Sequence, residues 1–225
     1  MIGVLVVDDQ ALIRRAVVDI LEQEEDLRVV GEARDGDDAL LLARELHPDV
    51  VLMDIRMPNR DGIEATAAIC DDASLAGTRV LILTTFEEDE YLVAALRAGA
   101  SGFVGKGAEP EEIARAIRSV HAGDALLSPT ATRNLITTYV LGPVRTSTEA
   151  SRHAPRLDAL TEREGEVLLL VARGKSNQEI ADELFISPHT AKTHVNRIMS
   201  KVHAHDRAQL VILAYETGML EPGPR

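Results

Sequence analysis

The sequence is poor in the residues that form disulfides and in the long apolar runs that cross membranes. Its 225 residues include one cysteine, Cys70, and no tryptophan. A single cysteine excludes an internal disulfide and a cysteine-cluster metal site. No apolar run approaches the roughly 20 residues that span a bilayer, and the start MIGVLVVDDQ lacks the basic region of a signal peptide. We therefore expect a cytoplasmic protein without a membrane partner.

Positive charge is scarce in the first half of the chain. Residues 1–123 hold 25 Asp and Glu against 12 Lys and Arg, so the whole net charge of −13 lies there. Residues 124–225 hold 12 residues of each sign. This asymmetry indicates two domains with different partners, and it disfavours nucleic acid as a partner of the first half because phosphates would repel it.

The first half alternates strand and helix signals. Short apolar, β-branched runs occur at Gly3–Val7, Arg28–Gly31, Val50–Met53, Arg79–Leu83 and Gly102–Val104. Segments of helical composition follow them at Ala11–Glu22, Asp37–Leu46, Ile63–Asp72, Asp89–Ala98 and Glu109–His121. Five such units predict an α/β fold with a doubly wound, five-stranded parallel sheet covered on both faces. Ligands of such folds bind at the carboxyl ends of the strands.

Polar side chains follow four of these five runs. Asp8 and Asp9 come after the first run, Asp54 after the third, Thr84 after the fourth and Lys106 after the fifth. Three converging carboxylates repel one another unless a divalent cation neutralises them, and oxygen ligands without His or Cys suit Mg²⁺. A lysine and a hydroxyl beside them would hold the oxygens of a phosphoryl group. Each residue alone also fits a loop acid, a turn cap or a surface charge, but the set of five predicts a Mg²⁺–phosphoryl site.

The segments VVDDQ, MDIRMPNRDG, ILTT and GFVGK resemble the receiver domain of two-component response regulators. The resemblance covers residues 1–121. It implies that Asp54 is the phosphoacceptor, which takes a phosphoryl group from a phosphohistidine of a sensor histidine kinase. We expect Asp54 to be exposed at the end of its strand because it acts as a nucleophile.

The same resemblance implies roles for the residues around the phosphoacceptor. The Mg²⁺ ligands would be Asp8, Asp9, Asp54 and the backbone carbonyl of Arg56. Lys106 would pair with the phosphoryl group, while Thr84 and Phe103 would be the switch pair that moves on phosphorylation. The protein would not be an enzyme, beyond promoting its own phosphorylation and dephosphorylation at Asp54.

The second half carries three helix starts. Thr161, with Glu164 three residues later, makes a capping box. Ser176 can begin the next helix, and Ser187 can cap a third with Pro188 at its first position. Only the short segment FIS separates the second and third helices, a spacing typical of a helix-turn-helix.

The third of these helices has two contrasting faces. Its apolar stripe consists of Ala191, Val195, Ile198 and Val202, and its polar face of Lys192, Thr193, Asn196, Arg197 and Ser200. Between Phe185 and Arg207 four Lys or Arg stand against the single Asp206. A solvated face in a small helical bundle explains this pattern, but a locally positive helix after a tight turn favours DNA.

The segments LTEREGEVL, GKSNQEIADEL and ISPHTAKTHVNRIMSKV resemble the LuxR-type helix-turn-helix of NarL/FixJ response regulators. The resemblance covers Leu157–Met219. It implies base contacts by Lys192, Thr193 and Asn196, and mainly phosphate contacts by Thr190, His194 and Arg197. The last helix, Arg207–Thr217, would supply a dimer contact through Leu210, Val211 and Ala214, for some of which a core role remains an equal alternative.

The two resemblances divide the chain into three parts. We predict a phosphoacceptor receiver domain at 1–121, a linker with a helix at 122–156, and a DNA-binding helix-turn-helix domain, all-α, at 157–220. The segment SPTATRNLITTYVL predicts the helix, from Ser128 with Pro129 at its first position. The Pro, Ser, Thr and Gly content of residues 142–156 is typical of a flexible linker.

Three functions fit these parts. The leading hypothesis is a transcription regulator controlled by phosphorylation, which forms a homodimer and binds operator sites in double-stranded DNA. A Mg²⁺-dependent phosphohydrolase with an aspartyl-phosphate intermediate would need a second acid two residues after the nucleophile, where Arg56 stands. A DNA-binding protein whose first half only dimerises would not need the set of five polar strand-end residues.

Overall fold

The computed structural model describes residues 1–84, 89–123, 157–202, 204 and 206–220. The chain divides into two units, Met1–Leu126 and Leu127–Arg225. The predicted helix from Ser128 and the predicted linker at 142–156 lie outside the described residues, so each unit is described by itself.

The first unit is built on the predicted parallel sheet. Its strands are β1 (Ile2–Val7), β2 (Leu27–Ala33), β3 (Val50–Asp54), β4 (Arg79–Thr84) and β5 (Gly102–Gly105). All neighbouring pairs are parallel, in the order β2-β1-β3-β4-β5. Strands buried on both faces are continuous apolar runs, and this explains why the runs were recognisable in the sequence. The predicted fold class is confirmed.

Four helices and one 3₁₀ turn, Ala73–Leu75, connect the strands, and a fifth helix follows the last strand. The helices are α1 (Ala11–Leu21), α2 (Gly36–Leu46), α3 (Gly62–Cys70), α4 (Asp89–Arg97) and α5 (Pro110–His121). α1 and α5 pack into one core cluster on one face of the sheet. α2, α3 and α4 pack beside one another in chain order. The sheet is therefore covered on both faces, as a doubly wound fold requires.

The strand β2 is longer than its sequence pattern predicts. It runs from Leu27 to Ala33 because both ends remain paired with β1, Leu27 with Ile2 and Ala33 with Val7. The polar Glu32 within this stretch interrupts the apolar pattern but not the ladder, since backbone groups alone make the pairing.

The strand order brings two polar strand ends together. β1 lies between β2 and β3, and Val7 at its end is paired with Met53. The next residues, Asp8 directly after β1 and Asp54 at the end of β3, therefore lie side by side at the carboxyl edge of the sheet. This is the point where the strand order reverses, which is the ligand-binding crevice of doubly wound folds.

The second unit contains four described helices around its own core. They are α6 (Glu162–Ala172), α7 (Asn177–Leu184), α8 (Pro188–Val202) and α9 (Arg207–Glu216). Capping boxes begin α6 at Thr161 and α7 at Ser176, and the hydroxyl of Ser187 accepts from the amide of Thr190 at 3.0 Å. The predicted stripe of α8 is buried: Ala191, Val195, Ile198 and Val202. Among the helices described, none is long and apolar enough to cross a membrane.

Candidate functional site

Asp54 is the last residue of β3 and lies inside the site. Its Cα is in register with that of Leu83 on β4, and only 5% of the residue is exposed. The expectation of an exposed Asp54 is wrong. The reason is that the strand ends between two neighbours, and the side chain of Lys106 from the β5–α5 connection reaches across it.

Lys106 connects two of the carboxylates. Its Nζ lies 2.8 Å from Oδ2 of Asp8 and 2.9 Å from Oδ2 of Asp54. Its backbone amide donates to the carbonyl of Thr84 at 2.8 Å, so the end of β4 fixes the position of the lysine. The predicted residues at the ends of the first, third, fourth and fifth strands therefore meet at one edge of the sheet.

Backbone amides orient the other oxygen of each carboxylate. The amide of Ile55 donates to Oδ1 of Asp54 at 2.9 Å, and the amide of Gln10 donates to Oδ1 of Asp8 at 2.8 Å. Each carboxylate thus has one oxygen held by the backbone and one facing Lys106. These backbone donors have no sequence signal, because every residue except proline carries the same amide.

Burial and charge act against each other in this site. Burial raises the pKa of Asp54 above its usual value, and the neighbouring charge of Asp8 adds to this, although Lys106 opposes both. Burial also acts to lower the pKa of Lys106, but its hydrogen bonds with Asp8 and Asp54 outweigh burial and hold that pKa above its usual value. The lysine is therefore charged, and its single charge is shared between two carboxylates.

The carboxylates suit a divalent cation. Ligand oxygens of Asp8, Asp9 and Asp54 all lie within 4.8 Å of one another, and Asp9 is exposed at the open side of the cluster. The charge of Lys106 offsets one of three carboxylates, so a divalent ion would neutralise the remainder. Oxygen-only ligands with an open side are typical of Mg²⁺ sites.

The connection from β3 to α3 turns back sharply against Asp54. The amide of Gly62 donates to the carbonyl of Ile55 at 2.8 Å. A Cβ added at Gly62 would overlap the backbone carbonyl of Asp54, so only glycine fits at this position. Gly62 is a required residue of the site that the sequence reasoning did not assign, although the Asp-Gly pair is a recognisable turn signal.

Arg56 and Tyr91 form one side of a cleft next to this connection. The guanidinium carbon of Arg56 lies 5.3 Å from the centre of the Tyr91 ring. A cleft of about 480 Å³ is lined by Ile55, Arg56, Met57, Asp61 and Tyr91. Arg56 is exposed, so its side chain leaves the carboxylate cluster and only its backbone carbonyl remains as a predicted metal ligand.

The two predicted switch residues occupy different environments. Thr84 is buried at the end of β4, with its Cα paired to Gly105. Phe103 is half-buried on β5, with its Cα paired to Ile82. Thr84 therefore lies at the edge that holds the site, whereas Phe103 lies within the edge strand of the sheet. Their movement on phosphorylation stays a prediction.

The predicted DNA-contacting side chains all lie on α8, but they differ in solvent exposure and in their hydrogen bonds. Asn196 and Arg197 are exposed, and Thr190, Lys192, Thr193 and His194 are half-buried. The hydroxyl of Thr193 donates to the carbonyl of His189 at 2.9 Å, and that of Thr190 lies 2.8 Å from the hydroxyl of Ser187. Nδ1 of His194 is buried without a hydrogen-bond partner in the described part of the chain.

The helix α8 is tied to α6 by a buried carboxylate. Nζ of Lys201 lies 2.7 Å from Oε2 of Glu164, and the amide of Thr161 donates to the same oxygen at 2.8 Å. The hydrogen bonds from Lys201 and Thr161 hold the pKa of Glu164 at about 2, well below its usual value. The capping role of Glu164 was predicted, but its pairing with Lys201 was missed because the two residues are far apart in sequence.

The three side chains predicted to make a dimer contact on α9 do not lie on its surface. Leu210, Val211 and Ala214 are 0%, 3% and 0% exposed and belong to the core of the second unit. Side chains that are buried within their own domain cannot also meet a partner. The helix α9 packs them against α6, so the core alternative is correct for all three.

A five-stranded parallel sheet with clustered carboxylates and a lysine at its strand ends, joined in one chain to a helix-turn-helix domain, defines a response regulator. Comparison with known families agrees. Residues 4–118 match the family described as response regulator receiver domain, and residues 158–214 match the one described as bacterial regulatory proteins, luxR family. The chain belongs to the LuxR/NarL family of response regulators and is a transcription regulator with a receiver and a DNA-binding domain.

Curated relatives are similar to this chain over nearly the whole length of both sequences. The chain is 39% identical over 220 residues to the transcriptional regulatory protein LiaR of Bacillus subtilis, covering 98% of this chain and 100% of the relative. It is 39% identical over 220 residues to the response regulator protein VraR of Staphylococcus aureus, covering 98% and 99%.

Solved structures are similar as well. The response regulator ChrA of a heme-sensing two-component system is 33% identical, with a TM-score of 0.52, over 97% of this chain and 98% of that one. A LuxR-family response regulator from Aurantimonas is 34% identical, with a TM-score of 0.57, over 62% of this chain and 99% of that one.

Proposed function

We propose that this regulator is switched by phosphorylation of Asp54 by a sensor histidine kinase. The observation that carries the proposal is the placement of Lys106, whose ammonium contacts Asp8 and Asp54 at 2.8 and 2.9 Å. A lysine in this position can release one carboxylate and hold an oxygen of a phosphoryl group in its place.

The transfer step follows from the arrangement of the carboxylate. An oxygen of Asp54 forms a bond to phosphorus while the bond between phosphorus and the donor's imidazole nitrogen breaks, and the electron pair stays on that nitrogen. The amide of Ile55, 2.9 Å from Oδ1, holds the carboxylate in one orientation during the approach. Lys106 supplies positive charge to the phosphoryl oxygens.

The carboxylates of Asp8, Asp9 and Asp54, with the backbone carbonyl of Arg56, would hold Mg²⁺. When bound, the ion neutralises the charge that accumulates on the transferring phosphoryl group. We propose no enzymatic activity beyond promotion of phosphorylation and dephosphorylation of Asp54 itself. A phosphohydrolase would need an acid at the position of Arg56, and this side chain instead stacks on Tyr91.

Phosphorylation would control DNA binding by forming a homodimer. Two copies would place two α8 helices in successive major grooves of the operator, about one DNA turn apart. Base contacts would come from Lys192, Thr193 and Asn196, and phosphate contacts from Thr190, His194 and Arg197. Since these helices would bind operator DNA, we propose that the protein acts in the cytoplasm.

The phosphoacceptor assignment is tested by phosphorylation with acetyl phosphate and Mg²⁺, followed by intact mass. We expect one phosphoryl group on the wild type and none on Asp54→Asn. The matched control is Asp19→Asn, an acid-to-amide change at a residue whose side chain is 52% exposed and paired with Arg15, which should be labelled like the wild type. Labelling of the Asp54→Asn variant would show that the acceptor is elsewhere, and an unchanged sedimentation mass after labelling of the wild type would remove the dimer from the proposal.

The DNA face is tested by two alanine variants of α8. Lys192→Ala should lose about 1–3 kcal/mol on the specific site alone, as expected for a base contact. Arg197→Ala should weaken all sequences alike and lower the salt slope by about one unit, as expected for a phosphate contact. Both are measured by titration of a selected operator and of unrelated DNA across salt concentrations. Equal, sequence-independent losses from both variants would show that the face is wrongly assigned.

A further inference from the structure

We propose that Asp35 is a positioning residue for the metal site, because it holds the β3–α3 loop in place through Asn59. This loop, Ile55–Asp61, carries the carbonyl of Arg56 and begins with the amide that orients Asp54. The inference rests on the proposed metal site and adds to it a residue from a different element, the start of α2.

Asp35 divides its two oxygens between two elements. Oδ1 accepts from the amides of Asp37 and Asp38 at 3.1 and 2.9 Å and thereby caps α2. Oδ2 accepts from Nδ2 of Asn59 at 2.8 Å. Asp35 is only 6% exposed, and the amide of Asp38 followed by the side chain of Asn59 holds its pKa below the usual value. The cap of α2 is therefore a fixed, charged acceptor for the loop.

Asn59 combines two properties that the link requires. Its φ is 64°, in the left-handed region that most residues avoid and asparagine tolerates. Its side chain provides the amide donor to Asp35. Glycine would satisfy the backbone angle but provide no donor, so the two requirements can be separated by mutation.

A second contact, between the backbones of Gly36 and Arg60, holds the start of α2 and the loop close together. The amide of Gly36 donates to the carbonyl of Arg60 at 3.0 Å. A Cβ added at Gly36 would lie 2.7 Å from that carbonyl oxygen and 2.9 Å from Cβ of Ala65. The start of α2 and the loop therefore touch at backbone distance, which leaves no room for the loop to move toward α2.

The base of the loop connects this junction to the phosphoacceptor. The carbonyl of Ile55 accepts from Gly62 at 2.8 Å, and the amide of Ile55 donates to Oδ1 of Asp54 at 2.9 Å. The hydrogen bond between Ile55 and Gly62 fixes only the two ends of the loop. The residues between them could still rotate, and metal binding would then have to remove their conformational entropy. The bond from Asn59 to Asp35 restrains the middle of the loop in advance, as outer partners of metal ligands do.

The test measures metal affinity of the full chain with Mn²⁺ as the probe, counting free ion by electron paramagnetic resonance without any phosphoryl donor. Asn59→Gly keeps the backbone angle and loses the bond, so we expect about a tenfold weaker affinity, within the range for outer partners of a metal. Asn59→Asp places a carboxylate against Asp35 and should weaken binding at least as much. The double variant Asp35→Asn with Asn59→Asp exchanges donor and acceptor, because asparagine also caps helices. It should recover affinity to within about threefold of the wild type.

Arg60→Ala is the matched control. Its guanidinium pairs with Asp37 at 2.8 Å and connects the same two elements, but the two side chains are partly exposed to solvent, at 35% and 59%. Exposed pairs contribute little, so this variant should bind Mn²⁺ within about twofold of the wild type. Thermal unfolding of each variant in a chelator shows whether it folds without metal.

The outcomes separate the two proposals. Wild-type protein that binds no Mn²⁺ removes the proposed metal site itself. If the wild type binds Mn²⁺ and Asn59→Gly binds it with equal affinity, the role of Asp35 is overturned, whatever the unfolding temperature of the variant. The role of Asp35 is also overturned if Asn59→Gly and Asn59→Asp both lose Mn²⁺ affinity and the double variant does not recover it. A specific hydrogen bond must be restored when donor and acceptor change places. If Asn59→Gly does not fold, the Mn²⁺ affinity of the double variant is compared with that of Asn59→Asp. Recovery in the double variant supports the role of Asp35, and its absence overturns that role.

Discussion

Each half of the molecule buries a carboxylate against a lysine, but the two carboxylates differ in charge balance. In the first unit Lys106 contacts Asp54, and burial raises the pKa of that carboxyl. In the second unit Lys201 contacts Glu164, and hydrogen bonds lower that pKa to about 2. The same pair of chemical groups therefore produces opposite shifts.

The number of donors and the nearest like charge explain the difference. Lys106 is shared with Asp8, so Asp54 receives part of one positive charge and the field of a second carboxylate. Glu164 receives Lys201 and also the amide and hydroxyl of Thr161, at 2.8 and 3.0 Å. Donors to a carboxylate stabilise its ionised form, and a nearby anion does the opposite.

The comparison distinguishes a site from a structural contact. The carboxylates of the first unit carry more negative charge than Lys106 offsets, and this excess is what a divalent cation would neutralise. Glu164 is fully compensated by the protein and needs no ligand, so its role is to begin α6 and hold α8. A carboxyl with a perturbed pKa in a cleft is a candidate functional group, but structural ion pairs such as that of Glu164 shift pKa values as well.

The largest effect expected from this comparison is on the stability of the second unit. Glu164→Ala removes a charge-assisted pair and half of a capping box, so the free energy of unfolding should fall by about 2–3 kcal/mol. Denaturant unfolding followed by circular dichroism measures this. Glu166→Ala is the control, because Glu166 pairs with Arg163 at 2.8 Å on the surface, where such pairs contribute less than about 1 kcal/mol. Equal losses from the two variants would contradict the structural role of Glu164.

The same contribution should disappear in acid. The pKa of Glu164 is about 2 in the folded protein and near 4.5 when unfolded, so its stabilisation is present above the higher value. As pH falls from about 4.5 toward 2, the unfolded state takes up the proton first and the stabilisation is lost. The gap in unfolding free energy between wild type and Glu164→Ala should therefore narrow over that window. A gap that stays constant from about pH 5 to about pH 2.5 would contradict a lowered pKa.

The smallest effect expected is an increase in the free energy of unfolding, opposite in sign to the effect of Glu164→Ala. Asp54→Asn removes a buried charge that the folded state disfavours at neutral pH, because the pKa of Asp54 is raised. Without metal, the free energy of unfolding of the first unit should rise by up to about 1 kcal/mol, while Lys106 keeps its contact with Asp8. Denaturant unfolding in a chelator measures this change. Destabilisation of the first unit would show that Asp54 is structurally compensated like Glu164.

Much of the carboxylate and lysine cluster was predictable because its residues lie at the ends of apolar runs. Asp54 and Thr84 end their strands, Asp8 and Lys106 directly follow theirs, and parallel strands end at the same edge. The burial of Asp54 was not predictable, since it depends on how Lys106 lies across the strand end. The backbone amide of Ile55 and the close approach of Gly62 also depend on the conformation of a loop that no periodic pattern describes.

The amino-acid sequence by itself determined the elements of both units, their helix caps and the class of chemistry at the strand ends. These features depend on neighbours in the chain, such as Thr161 and Glu164 three residues apart. Tertiary structure alone decided the long-range pairs, Asn59 with Asp35 across 24 positions and Lys201 with Glu164 across 37. It also decided that Leu210 belongs to a core and not to a dimer surface, because an apolar stripe has the same pattern whichever partner buries it.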